Sequence, residues 1–80
     1  MNEQLEALLR QIIHPETEQN IVDSGFVDRA DRGEDGSIAI TLRFQKARDP
    51  FAQKVKRQVE ELMNKSFPQS QTMVIIREAP

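Results

Sequence analysis

Between Ile38 and Met63 the apolar residues change their period, and the change falls on Asp49-Pro50. Upstream, Ile38, Ile40, Leu42 and Phe44 alternate with Ala39, Thr41, Arg43 and Gln45, the spacing of a half-buried strand. Downstream, Phe51, Val55, Val59, Leu62 and Met63 share one helical face, and Lys54, Lys56, Arg57, Glu60 and Glu61 occupy the rest as a solvated surface with i,i+4 charge pairs. Asp49 offers an N-cap acceptor, and Pro50 suits the first helical position, where its missing N–H would have had no partner. A strand that passes so directly into an amphipathic helix has to lay that helix back over the sheet to bury both apolar faces.

The flanking segments complete the pattern. Leu5, Leu8, Leu9, Ile12 and Ile13 follow helical spacing, which predicts an opening helix stopped by Pro15, with His14 pushed to extended geometry ahead of the proline. Phe26 to Arg32 reads as a short strand, and Gly33-Glu34-Asp35-Gly36 supplies the turn that joins it to the next strand as a hairpin. Phe67-Pro68 ends the second helix. The β-rich, continuously apolar run Thr72 to Ile76 is expected to be a strand covered on both sides or lying centrally. The order is α-β-β-α-β: a two-layer α+β domain whose three-stranded mixed sheet is covered on one face by two helices. A parallel crossover between the last two strands is expected to be right-handed.

At 80 residues and 9.2 kDa the chain forms one small domain, in a size class that buries about 60% of its unfolded surface. It has no cysteine, which excludes disulfides, a thiolate nucleophile and thiolate ligation of zinc or an iron–sulfur cluster within this polypeptide. Its apolar runs are too short to span a bilayer and its start lacks the regions of a signal peptide, so a cytoplasmic location without membrane attachment is expected. A net charge of −2 speaks against a nucleic-acid surface.

Candidate functional residues are few. His14 with Glu16 and Glu18 has the donor types of a divalent-metal site, but a lone histidine in a polar loop is ordinarily solvated or hydrogen-bonded, and no metal is assigned. Asp23 and Gly25 have two readings: lining a functional pocket with Glu16, or building a turn in which Asp23 caps through its side chain and Gly25 supplies a conformation other residues resist. Glu16 and Asp23 as an acid–base pair lack a nucleophile or phosphate loop beside them, so no catalytic residue is assigned. Lys46, Arg48 and Lys54 gather near the start of the second helix, as docking charges for an acidic partner or as solubility charges.

His14-Pro15-Glu16, then Ile21-Val22-Asp23-Ser24-Gly25-Phe26-Val27, then Asp49-Pro50-Phe51 before a helix and a last strand resemble the iron–sulfur cluster assembly domain family. That family includes PaaD-like and SufT-like proteins and the N-terminal domain of Mrp/ApbC-type P-loop ATPases. The likeness runs from Leu5 to about Ile76, and the Phe44 to Phe51 run is most similar to the Mrp-type domains. The resemblance implies that residues 1–80 are one domain excised from a longer ATPase. It also implies an accessory role in cluster assembly or transfer, with no catalysis by the domain itself. ATP and a [4Fe-4S] cluster belong to the parent or partner, and the partners are an iron–sulfur carrier or scaffold protein and a P-loop ATPase domain in cis. A stand-alone interaction adaptor is the nearest variant of this reading. His14, Glu16, Asp23, Gly25, Asp49 and Pro50 form the functional surface it points to.

Two residues depart from the family pattern. Members with a proposed reactive site usually carry Asp where His14 stands and Cys where Asp49 stands, so a direct cluster-ligating role is weakened, and His14→Asp is expected to be tolerated. A different class, a KH-like RNA-binding module, shares a similar element order. Its Gly-x-x-Gly clamp lies between helices, however, whereas Gly33 and Gly36 fall in a hairpin with Glu34 and Asp35, which repel phosphates.

Overall fold

The structure, a computed structural model, describes residues 2–44 and 48–78. Its elements are α1 (Glu3–Leu9), β1 (Val27–Arg32), β2 (Ile38–Phe44), α2 (Ala52–Ser66) and β3 (Thr72–Glu78), the expected α-β-β-α-β order. The sheet runs β1-β2-β3, with β1 antiparallel and β3 parallel to β2. The helix-facing residues of β2, Ile38, Ile40, Leu42 and Phe44, are all buried. Against them lie Leu5 and Leu9 of α1 and Ala52, Val55, Val59 and Met63 of α2. Burying each large aliphatic side chain of this set stabilises the fold by about 1.5–3 kcal/mol before chain entropy is counted.

α1 is shorter than its apolar pattern. Asn2 caps it by accepting from the Leu5 N–H at 3.1 Å, and it ends at Leu9 with tightened bonds from the Gln11 and Ile12 amides to the carbonyls of Leu8 and Leu9. Ile12 and Ile13 leave the helix because they pair with the returning chain: Ile13 bridges Asn20, and the Ile21 N–H donates to the Ile12 carbonyl at 3.0 Å. Ile12 stays buried, but Ile13 is half exposed and does not belong to the core stripe. Two β-branched residues ahead of a proline favour this extended exit.

The hairpin turn follows the glycine-rich segment. Gly36 takes φ +86°, the Gly33 N–H donates to the Ser37 carbonyl at 2.8 Å, and Asp35 Oδ1 accepts from the Ser37 N–H at 3.0 Å. The Ser37 hydrogen bonds hold the Asp35 carboxyl below its ordinary value of 3.8. Because the folded-state value is depressed, the turn's contribution is present above the unfolded value and fades as the pH falls through the folded one. A carboxyl-detected NMR titration is expected to show Asp35 ionising below 3.8, and Ser37→Pro, which removes the N–H donor, is expected to raise that midpoint.

One strand is placed differently from expectation. β3 is at the edge, and β2 is the central strand. Val74 turns toward the helices, whereas Met73 and Ile75, 62% and 47% exposed, stand on the open face of the sheet. The continuous apolar run therefore marks a strand covered on one side only. Among the described residues, no helix is long and apolar enough to cross a membrane.

Candidate functional site

Pro15 and Pro50 each follow a residue that the fold buries, and those two residues meet. His14 Nε2 lies 3.1 Å from Asp49 Oδ2, with side chains only 1% and 4% exposed. His14 Nδ1 accepts from the Glu16 N–H at 3.1 Å, which assigns the ring hydrogen to Nε2 and makes that nitrogen the donor to Asp49. The other carboxylate oxygen, Oδ1, accepts from the Phe51 N–H at 2.8 Å, and the Asp49 carbonyl accepts from Ala52 at 3.1 Å. Every acceptor or donor position that a neutral imidazole offers is thus used, and both carboxylate oxygens are engaged.

The ring sits among phenylalanines. It stacks on Phe26 at 4.6 Å and 17°, meets Phe51 edge-on at 5.5 Å and 79°, and tilts against Phe44 at 6.3 Å. Three of the chain's four phenylalanines therefore surround a histidine that the sequence places in a polar loop. The aromatic walls keep water from the His14–Asp49 hydrogen bond, and a charge-assisted bond in such a setting is stronger than the same pair at the surface. The pair ties the loop after α1 to the start of α2 across 35 residues of chain.

The remaining candidates are dispersed. Glu16 contributes its backbone N–H to His14 while its side chain lies at the surface. Asp23 is exposed; it accepts from the Asn20 amide at 2.8 Å and lies 3.6 Å from Arg10. The turn here is capped by Asn20, whose Oδ1 accepts from the Asp23 N–H, so in the turn reading of this segment the capping side chain is Asn20 and not Asp23. Asp49 acts one turn-step ahead of the helix: α2 opens at Ala52 after an N-cap at Phe51, and Asp49 builds the turn into it while Pro50 stays exposed. Arg48, at φ +60°, and Lys54 are exposed beside this turn; Lys46 lies outside the described residues. Gly33 and Gly36 lie in the β1–β2 hairpin.

Gly25 takes φ +81° and delivers Phe26 onto the His14 ring, with the Phe26 N–H donating to the Ile21 carbonyl at 2.9 Å. A Cβ added there meets no atom within 4 Å, so the penalty for substitution is backbone strain alone. That strain costs about 1–2 kcal/mol for an unbranched residue and more for a β-branched one. Gly25→Val is accordingly expected to lower the melting temperature by roughly 10 °C, with Gly25→Asn closer to the parent. Melting curves of Gly25→Val that overlay the parent would remove the conformational account of this glycine.

A metal held by His14, Glu16 and Glu18 finds no free ring nitrogen, since both are committed to Asp49 and Glu16. Among the described residues no group of three or more His, Asp or Glu side chains is placed to hold an ion. With no cysteine in the chain, the donor set does not fit an iron–sulfur cluster. The phenylalanine cage carried one sequence signal: Gly25-Phe26, Phe44 and Phe51 all border the segments that His14-Pro15 and Asp49-Pro50 punctuate.

Comparison with known proteins adds a family to this geometry. A domain of unknown function, DUF59, from Bacillus anthracis has a crystal structure similar to this fold at a TM-score of 0.84 and 24% identity, covering 92% of this chain and 71% of that one. No curated protein matches significantly. The family model described as "Iron-sulfur cluster assembly protein" matches residues 2–74, which include both halves of the His14–Asp49 pair and every buried core residue from Leu5 to Val74, so this chain belongs to the iron–sulfur cluster assembly protein family.

Proposed function

We propose that this domain is a docking module that supports iron–sulfur cluster assembly or transfer by an Mrp-type ATP-binding carrier, without catalysis of its own. Membership of the cluster assembly family supports a role in that process. The observation that carries the finer reading is the full engagement of His14 and Asp49. The residues at the family's proposed reactive positions are spent on each other, so they shape a surface instead of holding the cargo. The cluster is then handled by thiolates of a partner, and ATP by its P-loop.

The surface so shaped comprises the Pro15–Glu18 loop and the Arg48–Lys54 turn, which the buried pair locks side by side. Its exposed cations, Arg48 and Lys54, suit an acidic partner patch. A P-loop domain in cis fits the similarity to Mrp-type N-terminal domains.

Titration of the 15N-labelled chain with the [4Fe-4S]-loaded nucleotide-binding domain of an Mrp-type ATPase tests the assignment. Shifted amide signals confined to residues 15–18 and 48–54 are expected. Absence of shifts at millimolar partner, or shifts only on the opposite sheet face, would overturn it. Mass and peptide mapping of the native protein, by immunoblot from its source cell, address the arrangement in cis: a band several times 9.2 kDa carrying a Gly-Lys-Thr or Gly-Lys-Ser peptide is expected.

A further inference from the structure

The edge strand β3 has the chemistry of an interface. It contains no proline, its charged residues Arg77 and Glu78 are confined to its last two positions, and it pairs with β2 through seven consecutive positions, Ile38↔Thr72 to Phe44↔Glu78, without a bulge. Natural edge strands are usually blunted by one of those devices, and a long regular apolar edge left open is a template for another strand. The Ile38 N–H donates to the Gln71 carbonyl at 2.8 Å, which sets the phase of the ladder. Odd-numbered residues of β3 turn their backbone groups toward β2. Thr72, Val74, Ile76 and Glu78 therefore present theirs to the free edge.

We infer that this edge pairs antiparallel with β3 of a second copy about a twofold axis through Ile75, forming a continuous six-stranded sheet. Three observations select the second copy and the register. All edge-facing residues are even-numbered, so a twofold at Ile75 sets Thr72 against Glu78 and Val74 against Ile76 as hydrogen-bonded pairs along the whole strand. The same register puts Ile75 against Ile75 in the close, non-hydrogen-bonded position, and joins Met73 and Ile75 of both copies into one apolar stripe on the open face. It also keeps like charges apart: each Arg77 faces Met73 of the second copy, whereas a twofold at Arg77 would oppose two guanidinium groups. The interface is isologous and closes as a dimer, so it does not propagate into a fibre.

Cysteine scanning tests the register directly, because the chain has no cysteine of its own. Ile75 is exposed in the single chain, so Ile75→Cys leaves the core intact. At the twofold the two Cα atoms stand about 4.5 Å apart, within the range a disulfide requires. Mild oxidation of the 80-residue Ile75→Cys chain is expected to give a covalent dimer of twice 9.2 kDa. Met73→Cys, whose copies lie roughly 13 Å apart in this register, is expected to stay uncrosslinked. Sedimentation equilibrium of the unmodified chain is expected to show a monomer–dimer equilibrium that Ile75→Lys shifts fully to monomer. A parent that stays at 9.2 kDa up to millimolar concentration, or crosslinking equally efficient at positions 73 and 75, would overturn the proposal. The former outcome would leave the edge to a different protein.

Discussion

His14→Asp is expected to destabilise this domain by about 3–5 kcal/mol, the usual cost of leaving a buried charge without its partner. The sequence resemblance alone predicts tolerance, because Asp is the family's usual residue here. The structure reverses that expectation: a second carboxylate would face Asp49 inside a pocket walled by Phe26, Phe44 and Phe51, where the present donor is His14 Nε2–H at 3.1 Å. An aspartate at 14 can still accept from the Glu16 N–H, so the damage lies on the Asp49 side. Two consequences separate this account from simple loss of volume. Protonation of one of the two carboxyls relieves the repulsion, so the deficit is expected to shrink between pH 8 and pH 5, whereas the deficit of His14→Ala combined with Asp49→Ala, which removes volume without leaving a buried charge, has no such relief. Combining His14→Asp with Asp49→Cys replaces the second charge by a neutral thiol, and the double variant is expected to exceed the additive sum by about 2 kcal/mol. Urea unfolding of the four-member cycle measures that coupling; strict additivity would show that the two departures from the family pattern are independent.

Phe44→Ala is expected to cost a similar 3–5 kcal/mol, by lost transfer energy and the cavity left behind. Phe44 ends β2 with no exposed surface, and its ring lies 5.5 Å from Phe26 and 6.3 Å from His14. Its removal takes away one wall of the cage, so the effect should reach the site as well as global stability. Hydrogen exchange reads both: amides of α2 report the global loss, and the Glu16 amide, bonded to His14 Nδ1, reports local opening. Faster exchange at Glu16 than the global change explains is the expected result. A Glu16 amide that merely follows the global change would show that the pair holds without its aromatic wall.

Much of the fold is written locally. The alternation from Ile38 to Phe44 and the helical face from Val55 to Met63 are one-dimensional signatures of burial, and both stand in the structure with the residues they name. Gly36 in the hairpin and Gly25 before Phe26 are legible for the same reason, since positive φ is a property of a single residue. Where periodicity misled, a longer-range partner had overridden it. Ile13 fits the stripe of α1, yet pairing with Asn20 draws it out of the helix. Met73 and Ile75 read as covered, yet strand order leaves β3 with one bare face.

The sequence by itself determined the element order, the β1–β2 hairpin turn and the apolar faces of β2 and α2, because each depends on neighbours within a few residues. It also determined the lack of any thiolate ligand in this chain. Only the tertiary structure decided that His14 is a buried, fully bonded residue and not a surface one. Its partners Asp49, Phe26, Phe44 and Phe51 are brought to it by closure of the whole sheet-and-helix layer, and the burial of a polar ring depends on Asp49 satisfying Nε2 from 35 residues away, while the local Glu16 N–H satisfies Nδ1.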